Sequence, residues 1–487
     1  MKRYILNPRY VLRNEGNKVY ILVDHKYQLK ASLSVIHPIF AMMLSFFKGG
    51  FLNDILNEIT TFFRLDKAEV EKIILPLLDN KNIITNGSSA FPKHIIIEYE
   101  ERFPIPTYQP IDFKYKDIDL HISRFKQPSD IICNITMKCM TSCIYCYADR
   151  TREKQNKTMS IDLLERIIQE AKDIKAVRFR LMGGEVLLYK EWKTILKKMS
   201  ELEFQPSIST KIPLTEEHLN VIQDLGLNKA PIQISLDTMI KKHLYQILNV
   251  KDPYFDKMIK CFNLMEKYNM QYYVHTVITN KNDSLDDINS LIDFFRDKTY
   301  LENWFLDTAK CSMYVGKEYN TYKSTVANIN SIRNYLNSMI EKNAFNYEIK
   351  LPVVIKNAND VLIEEKKAKF ENRTMCAGNL NALYILPDGK VTICEELYWH
   401  PRFILGDLNQ QSLMEIWNSQ KAKDLFYLKQ NDIQKSSPCA SCEDFAECRR
   451  YKHVCWRDAI LAYGPDKWDY PDLYCPRAPY IEKNISL

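Results

Sequence analysis

The sequence predicts an α/β protein built around a partial barrel of six β/α steps. A winged helix-turn-helix-like unit precedes the barrel and a cysteine-rich module follows it. Three observations predict this. Between residue 131 and about residue 310, β-prone runs alternate with amphipathic helical runs. Before residue 90, β-prone runs lead into three helical patterns. Of thirteen cysteines, three fall in 139–146 and seven in 376–475.

A chain of 487 residues exceeds one typical core, so two or three domains are expected. Its 46% hydrophobic and 26% charged residues are an ordinary globular balance. The net charge is +6 and the basic residues are not concentrated in any block, which argues against a nucleic-acid partner. No run is long and apolar enough to span a bilayer, and the opening MKRYILNPRY lacks the apolar core and cleavage site of a signal peptide. The expectation is a cytoplasmic protein with no membrane partner. Thiols stay reduced in that compartment, so a disulfide scaffold is disfavoured and clustered cysteines read as metal ligands. The scattered Cys133, Cys261 and Cys311 read as small buried hydrophobes.

Residues 1–90 form the first predicted unit. Tyr10–Leu12 and Lys18–Val23 flank the turn Asn14-Glu15-Gly16-Asn17, which suggests a hairpin. Helical patterns follow at His37–Phe47, Phe51–Phe63 and Asp66–Leu78, and Ile83-Ile84 closes a wing. Strands plus three helices describe a winged helix-turn-helix. These helices lack an Arg/Lys-rich face, which points to protein or peptide binding rather than DNA. Residues 91–125 are proline-punctuated and charged, and read as a linker.

The barrel occupies 126–315. Its predicted strands are Ile131–Thr136, Ala176–Met182, Pro206–Thr210, Pro231–Leu236, Gln271–Thr279 and Trp304–Thr308. The intervening helices begin with one capped by Ser160, with Ile161, Leu164, Ile167, Ile168, Ala171 and Ile174 on one face. Helices Lys190–Glu201, Thr215–Leu225, Tyr254–Tyr268 and Leu285–Arg296 complete the alternation, which implies a parallel sheet with right-handed crossovers. A mainly helical bridge at 316–370 leads to the cysteine-rich module at 371–487.

The most specific pattern is Cys139-Met-Thr-Ser-Cys143-Ile-Tyr-Cys146, placed directly after the first barrel strand. Chemistry in β/α barrels gathers at the C-terminal ends of strands. Three thiolates at this spacing can hold three corners of an iron–sulfur cube and leave the fourth iron open. A structural zinc site would need a fourth ligand, and no further Cys or His lies nearby.

The spacing CxxxCxxC, with aromatic Tyr145 before the third cysteine, resembles the signature of the radical S-adenosylmethionine (SAM) superfamily. The resemblance implies a [4Fe–4S] cluster on Cys139, Cys143 and Cys146 and a SAM molecule on the open iron. The cofactor pair would supply a 5′-deoxyadenosyl radical for hydrogen abstraction. Met182-Gly183-Gly184-Glu185, at the end of the second strand, is similar to the family's GGE motif. There Gly183 and Gly184 allow close backbone approach, and Glu185 suits an ammonium group. Ser235-Leu236-Asp237 is similar to the family's SLD segment, which implies that Ser235 and Asp237 lie near the nucleoside. Ser209, Lys211 and Asn280 follow strands three and five and are candidates for the same pocket. Many relatives carry an arginine beyond SLD, where this chain reads Ile247-Leu248-Asn249.

In the C-terminal module the order is Cys376, Gly389, Cys394, Cys439, Cys442, Cys448, Cys455 and Cys475. With its Asp388-Gly389 hairpin, this order resembles the SPASM extension of peptide-modifying radical SAM enzymes. The resemblance implies two auxiliary [4Fe–4S] clusters, which makes three in all. Cys439, Cys442, Cys448 and Cys475 would ligate the distal one, while Cys376, Cys394 and Cys455 would hold the nearer. Either Cys311 completes the nearer cluster or an iron is open to substrate. Glu395, after Cys394, sits where some relatives place an acidic base; a solvated hairpin carboxylate is the alternative.

The N-terminal unit resembles the PqqD-like recognition element of maturases that act on ribosomally made peptides. That implies a precursor peptide whose leader adds as a strand to a wing edge offered by Tyr10–Leu12 and Lys18–Val23. A flavodoxin- or ferredoxin-type electron donor is implied too. The leading expectation is a peptide maturase forming a Cys thioether of the sactipeptide or ranthipeptide type. Carbon–carbon cyclophane-type cross-linking, cyclopropane formation, epimerisation and anaerobic formylglycine maturation of sulfatases stay open. A non-enzymatic alternative is a winged-helix regulator that senses redox state through its clusters.

Overall fold

The computed structural model describes residues 2–23, 33–148, 157–227, 232–314, 318–451 and 454–481. Two compact units, Met1–Lys126 and Gln127–Leu487, divide the chain.

The first unit contains strands β1 (Arg3–Leu6), β2 (Tyr10–Asn14), β3 (Val19–Val23), β4 (Leu33–Ile36), β5 (Lys48–Phe51), β6 (Ile84–Asn86), β7 (Ser89–Phe91) and β8 (Ile96–Glu98). Its helices are Pro38–Leu44, Leu52–Phe63 and Lys67–Ile74. The expected hairpin forms, with Leu12 opposite Ile21. The helix Leu52–Phe63 turns Ile55, Leu56 and Ile59 inward, as its apolar spacing requires.

Two expectations change here. The strands order β2-β3-β4, so Lys18–Val23 contributes the central strand; the edges are β2 and β4. Every residue of β3 is buried, as suits a strand paired on both sides. The stretch 91–125 is no linker. Its β8 pairs with β1, and Phe113 and Phe125 are buried in the same unit. Strands of three residues carry too little alternation to be legible locally.

The second unit supplies β9 (Asp130–Thr136), β10 (Arg178–Gly183), β11 (Ile208–Thr210), β12 (Ile232–Ser235), β13 (Tyr272–Ile278), β14 (Leu301–Thr308) and β15 (Glu348–Lys350). It ends with β16 (Ala382–Ile385), β17 (Lys390–Thr392) and β18 (Ile404–Asp407). Pro231, expected as the first residue of a strand, lies outside the described residues. The six expected barrel strands form and their pairings are parallel. They fall into two sheets, β10-β9-β16-β17-β18 and β11-β12-β13-β14-β15. The helix Ile161–Asp173, capped by Ser160, buries Leu164, Ile167, Ile168 and Ala171.

Three features add to the expectation. β15 extends the second sheet from within the bridge. A helix at Lys241–Leu248 follows the Ser235-Leu236-Asp237 segment. The C-terminal module is also not appended as a separate body, because β16 lies parallel to β9 with Leu383 opposite Ile131.

Candidate functional site

Where β9 ends, the chain must turn sharply past the end of β10, and two glycines allow it. A Cβ on Gly183 would lie 2.5 Å from the Thr136 carbonyl oxygen, and one on Gly184 only 2.3 Å from that of Lys138. The glycines therefore serve close backbone packing beneath the cysteine loop. The loop is held from the other side by the unanticipated helix. The N–H groups of Ser142 and Ile144 donate to the carbonyls of Leu248 and Ile247 at 3.0 and 2.9 Å. The residues that depart from the family pattern thus carry the loop through their backbone.

Cys139, Cys143 and Cys146 line one cavity together with Gly183, Gly184, Glu185, Ser209, Lys211 and Ser235. The structure brings together all but two of the residues expected around the cofactor, Asp237 and Asn280. Tyr145, which also lines the cavity, donates its hydroxyl to Asp237 Oδ2 at 2.7 Å. Asp237 itself is not on the wall. Its other carboxylate oxygen accepts the Val277 N–H at 2.9 Å, so it orients Tyr145 from behind. Asn280 is the clear correction: its side chain donates to the Thr321 carbonyl at 2.9 Å and is absent from the lining. Glu185 is buried and accepts the Lys211 N–H at 3.1 Å, which ties the ends of β10 and β11 together.

The electrostatics suit a bound anion or thiolate set. The Lys211 ammonium lies 5.5 Å over the Tyr145 ring, and the neighbouring Cys143, Asp237 and Cys146 raise its pKa against the cost of burial. Burial pushes the Cys143 thiol up to about 11, and Lys211 opposes that rise. Thr141 and Tyr147 also line this cavity, and sequence reasoning missed both. Thr141 Oγ1 lies 3.2 Å from Cys143 Sγ and 3.6 Å from Cys139 Sγ. The signal was present: both sit within or directly beside the cysteine spacing.

A smaller cavity shares Met137, Tyr147 and Gly183 with the first and adds Glu395. Tyr147 donates its hydroxyl to Glu395 Oε2 at 3.1 Å, and burial pushes that carboxyl up to about 7. Glu395 is therefore no freely solvated hairpin carboxylate.

The distal cysteines also converge. Cys439, Cys442, Cys448 and Cys475 line a cavity of about 510 Å³ with Arg373, Arg449 and Arg477. Arg373 donates to Cys448 Sγ at 2.9 Å and Arg449 to Cys439 Sγ at 3.6 Å. Gln430 bonds the carbonyls of Cys439 and Cys442 at 3.1 and 2.8 Å. Among the described residues, no group of three or more Cys, His, Asp or Glu side chains converges as a single metal ion requires. Four thiols spread around a roomy, arginine-rimmed cavity fit an anionic cluster instead.

Cys376, Cys394 and Cys455 form the third group, with Cys376 close enough to influence both others electrostatically. Cys311 does not join them. It packs with Ala309, Tyr319 and Tyr322, against Ile144 and Tyr145, and its carbonyl accepts a bond from Arg457.

A barrel with three thiols at its first strand end, and a thiol-rich module continuing its sheet, defines a class of iron–sulfur protein with room for a cofactor beside the cluster. Comparison with known proteins narrows this. Residues 133–295 match the radical SAM superfamily and residues 376–443 match SPASM, an iron–sulfur cluster-binding domain. The chain therefore carries a radical SAM domain, which works with SAM and a [4Fe–4S] cluster, followed by a domain that binds auxiliary clusters. Over 24% of its length it is 32% identical to 38% of a probable GTP 3′,8-cyclase from Methanothermobacter marburgensis. A similar protein from Methanococcus maripaludis shows 28% identity over 22% of this chain and 35% of its own. These matches span well under half of the curated relatives. The fold is similar to that of Streptococcus suis SuiB bound to precursor peptide SuiA. That likeness covers 97% of this chain and all of SuiB, with TM-score 0.62 and 16% identity. SuiB bound to S-adenosylmethionine aligns with TM-score 0.63 at the same identity and coverage. Among the described residues, no helix is long and apolar enough to cross a membrane.

Proposed function

We propose that the chain is a radical SAM/SPASM maturase of a ribosomally made precursor peptide, and that the bond it forms is a Cys thioether. One observation carries the reading furthest. The group Cys376, Cys394 and Cys455 has three thiols, and Cys311, one of the two alternatives for its fourth ligand, packs with Ala309, Tyr319 and Tyr322. These three thiols would hold a cluster with one iron left for a substrate thiolate, whose pKa that iron would lower. The correspondence with a precursor-peptide-bound SuiB over nearly the whole chain supports a peptide substrate.

When bound, the cluster and SAM at Cys139, Cys143 and Cys146 supply the hydrogen-abstracting radical. The protein's own residues do the rest. Glu185 and Lys211 shape the cofactor end, with Gly183, Gly184, Ser209 and Ser235 completing the wall and Asp237 fixing Tyr145. Asn280 acts only by anchoring the segment at Thr321. Glu395, held by Tyr147, is the acceptor for the proton that leaves the substrate nucleophile. Cys439, Cys442, Cys448 and Cys475 hold the distal auxiliary cluster, which brings the total to three, and a flavodoxin- or ferredoxin-type protein delivers electrons.

The N-terminal unit serves as the PqqD-like, winged-helix leader clamp. Its sheet has two edges, β2 and β4. The Leu12 N–H on β2 is taken by the Tyr108 hydroxyl at 3.1 Å and β4 lies close against β7, so a leader strand adds where either edge is left open.

The test is anaerobic co-expression with any short peptide encoded beside the gene, followed by mass measurement and alkylation. A product lighter by two hydrogens with one thiol lost to alkylation is expected. The same loss with all thiols reactive replaces the thioether by a carbon–carbon bond. Unchanged mass without deuterium uptake overturns the maturase reading for that peptide.

A further inference from the structure

The interior of a β/α barrel is normally filled by packed apolar side chains. Here the inward face of the second sheet carries polar side chains among apolar ones and is partly reached by solvent. Burial along β13 alternates strictly: Tyr272, Val274, Thr276 and Ile278 are buried, whereas Tyr273, His275 and Val277 are partly exposed. The buried set faces the helices, since Phe262 packs on Tyr272 and Phe295 on Trp304 of the neighbouring strand. The other set faces the lumen.

Register then places a dyad. His275 lies beside Ser235 on one flank and Phe305 on the other. Its Nε2 lies 3.0 Å from Asp307 Oδ2, with the two side chains 25% and 39% exposed. The His275 hydrogen bond holds Asp307 below the usual carboxylate range, and Lys310 and Lys350 add to this. A neutral imidazole that donates its Nε2–H to Asp307 leaves Nδ1 as an acceptor. Ser235 lines the cofactor cavity, and Gln233 on the same face of β12 donates to Ser209, another lining residue, at 2.8 Å. A continuous polar strip therefore runs from the cofactor cavity across β11, β12 and β13 to Asp307.

We propose that His275, oriented by Asp307, is a substrate-contacting residue on the barrel wall. Its Nδ1 accepts a hydrogen bond from an N–H or S–H of the peptide segment under attack and sets that segment against the cofactor cavity. Asp307 is the positioning residue behind it. This inference rests on the maturase reading and adds the barrel-side half of the substrate site to the Glu395 side already described.

The experiment compares wild type, His275→Leu, His275→Gln and Asp307→Asn in the same co-expression, then in vitro, counting peptide product per 5′-deoxyadenosine released. His275→Leu is expected to lower that ratio by about 10-fold, the scale of one lost hydrogen bond, while 5′-deoxyadenosine release continues. His275→Gln, whose amide oxygen can accept the same bond, is expected to recover most of the ratio, and Asp307→Asn to fall between. Wild-type coupling in His275→Leu overturns the inference, as does equal loss in His275→Leu and His275→Gln. A matching collapse of 5′-deoxyadenosine release overturns it too, by assigning the residue to the cofactor. A wild-type enzyme that yields no product overturns the maturase reading, and this inference falls with it.

Discussion

The first cysteine cavity and the distal one solve opposite problems with the same side chain. At the first, among the described residues, three thiols within eight residues share a wall with a single cation, Lys211, and with glycines and hydroxyls. At the distal cavity, four thiols gathered from 439–475 face Arg373, Arg449 and Arg477, two of which donate to sulfur. A cluster with four thiolates has its irons capped and carries negative charge that the arginines offset. A cluster with three keeps an iron for chemistry and needs space beside it rather than counter-charge. On the proposed reading, thiol number and cation number among the described residues distinguish the site that binds a cofactor from the one that passes electrons.

The largest expected effect tests that division directly. Cys143→Ala should abolish SAM cleavage and product alike, whereas Cys442→Ala should keep some uncoupled 5′-deoxyadenosine release and lose peptide product, both read by chromatography and mass. Equal loss of both activities in both variants would break the comparison. A smaller effect is expected from Arg373→Met, which strips Cys448 of its donor. Iron at the distal site should be released to a chelator about 10- to 100-fold more readily, as when an outer-shell partner of a metal ligand is removed, with SAM affinity unmoved. The smallest is expected from Cys311→Ala. Its sulfur packs with tyrosines away from the third group, so the iron content of the reconstituted protein should not change. Loss of iron there would return Cys311 to the ligand set.

The same contrast explains how much the sequence revealed. Cysteine spacing is a local property, so the thiols that line both cavities were legible, as were the six barrel strands and the helix capped by Ser160. Asn280 was not, because whether a residue at a strand end faces a cavity or anchors a loop depends on Thr321, far along the chain. The central place of Lys18–Val23 depended on β4, and the role of 91–125 on a strand that pairs with the chain's first. His275 was invisible for a third reason: an inward histidine has meaning only once register sets it beside Ser235 and Asp307.

The parallel pairing of β16 with β9 carries one more consequence. Since β9 holds β10 on one flank and β16 on the other, the strand that feeds the cysteine loop is interior only while the C-terminal module is present. A barrel cut before residue 376 would leave the backbone of β9, almost wholly buried in the intact chain, as a naked edge, the kind of surface on which chains stack and precipitate. Exchange of this module between enzymes must therefore carry the β16–β18 hairpins across with it, since their strands, and not the cysteines alone, make the barrel a soluble object.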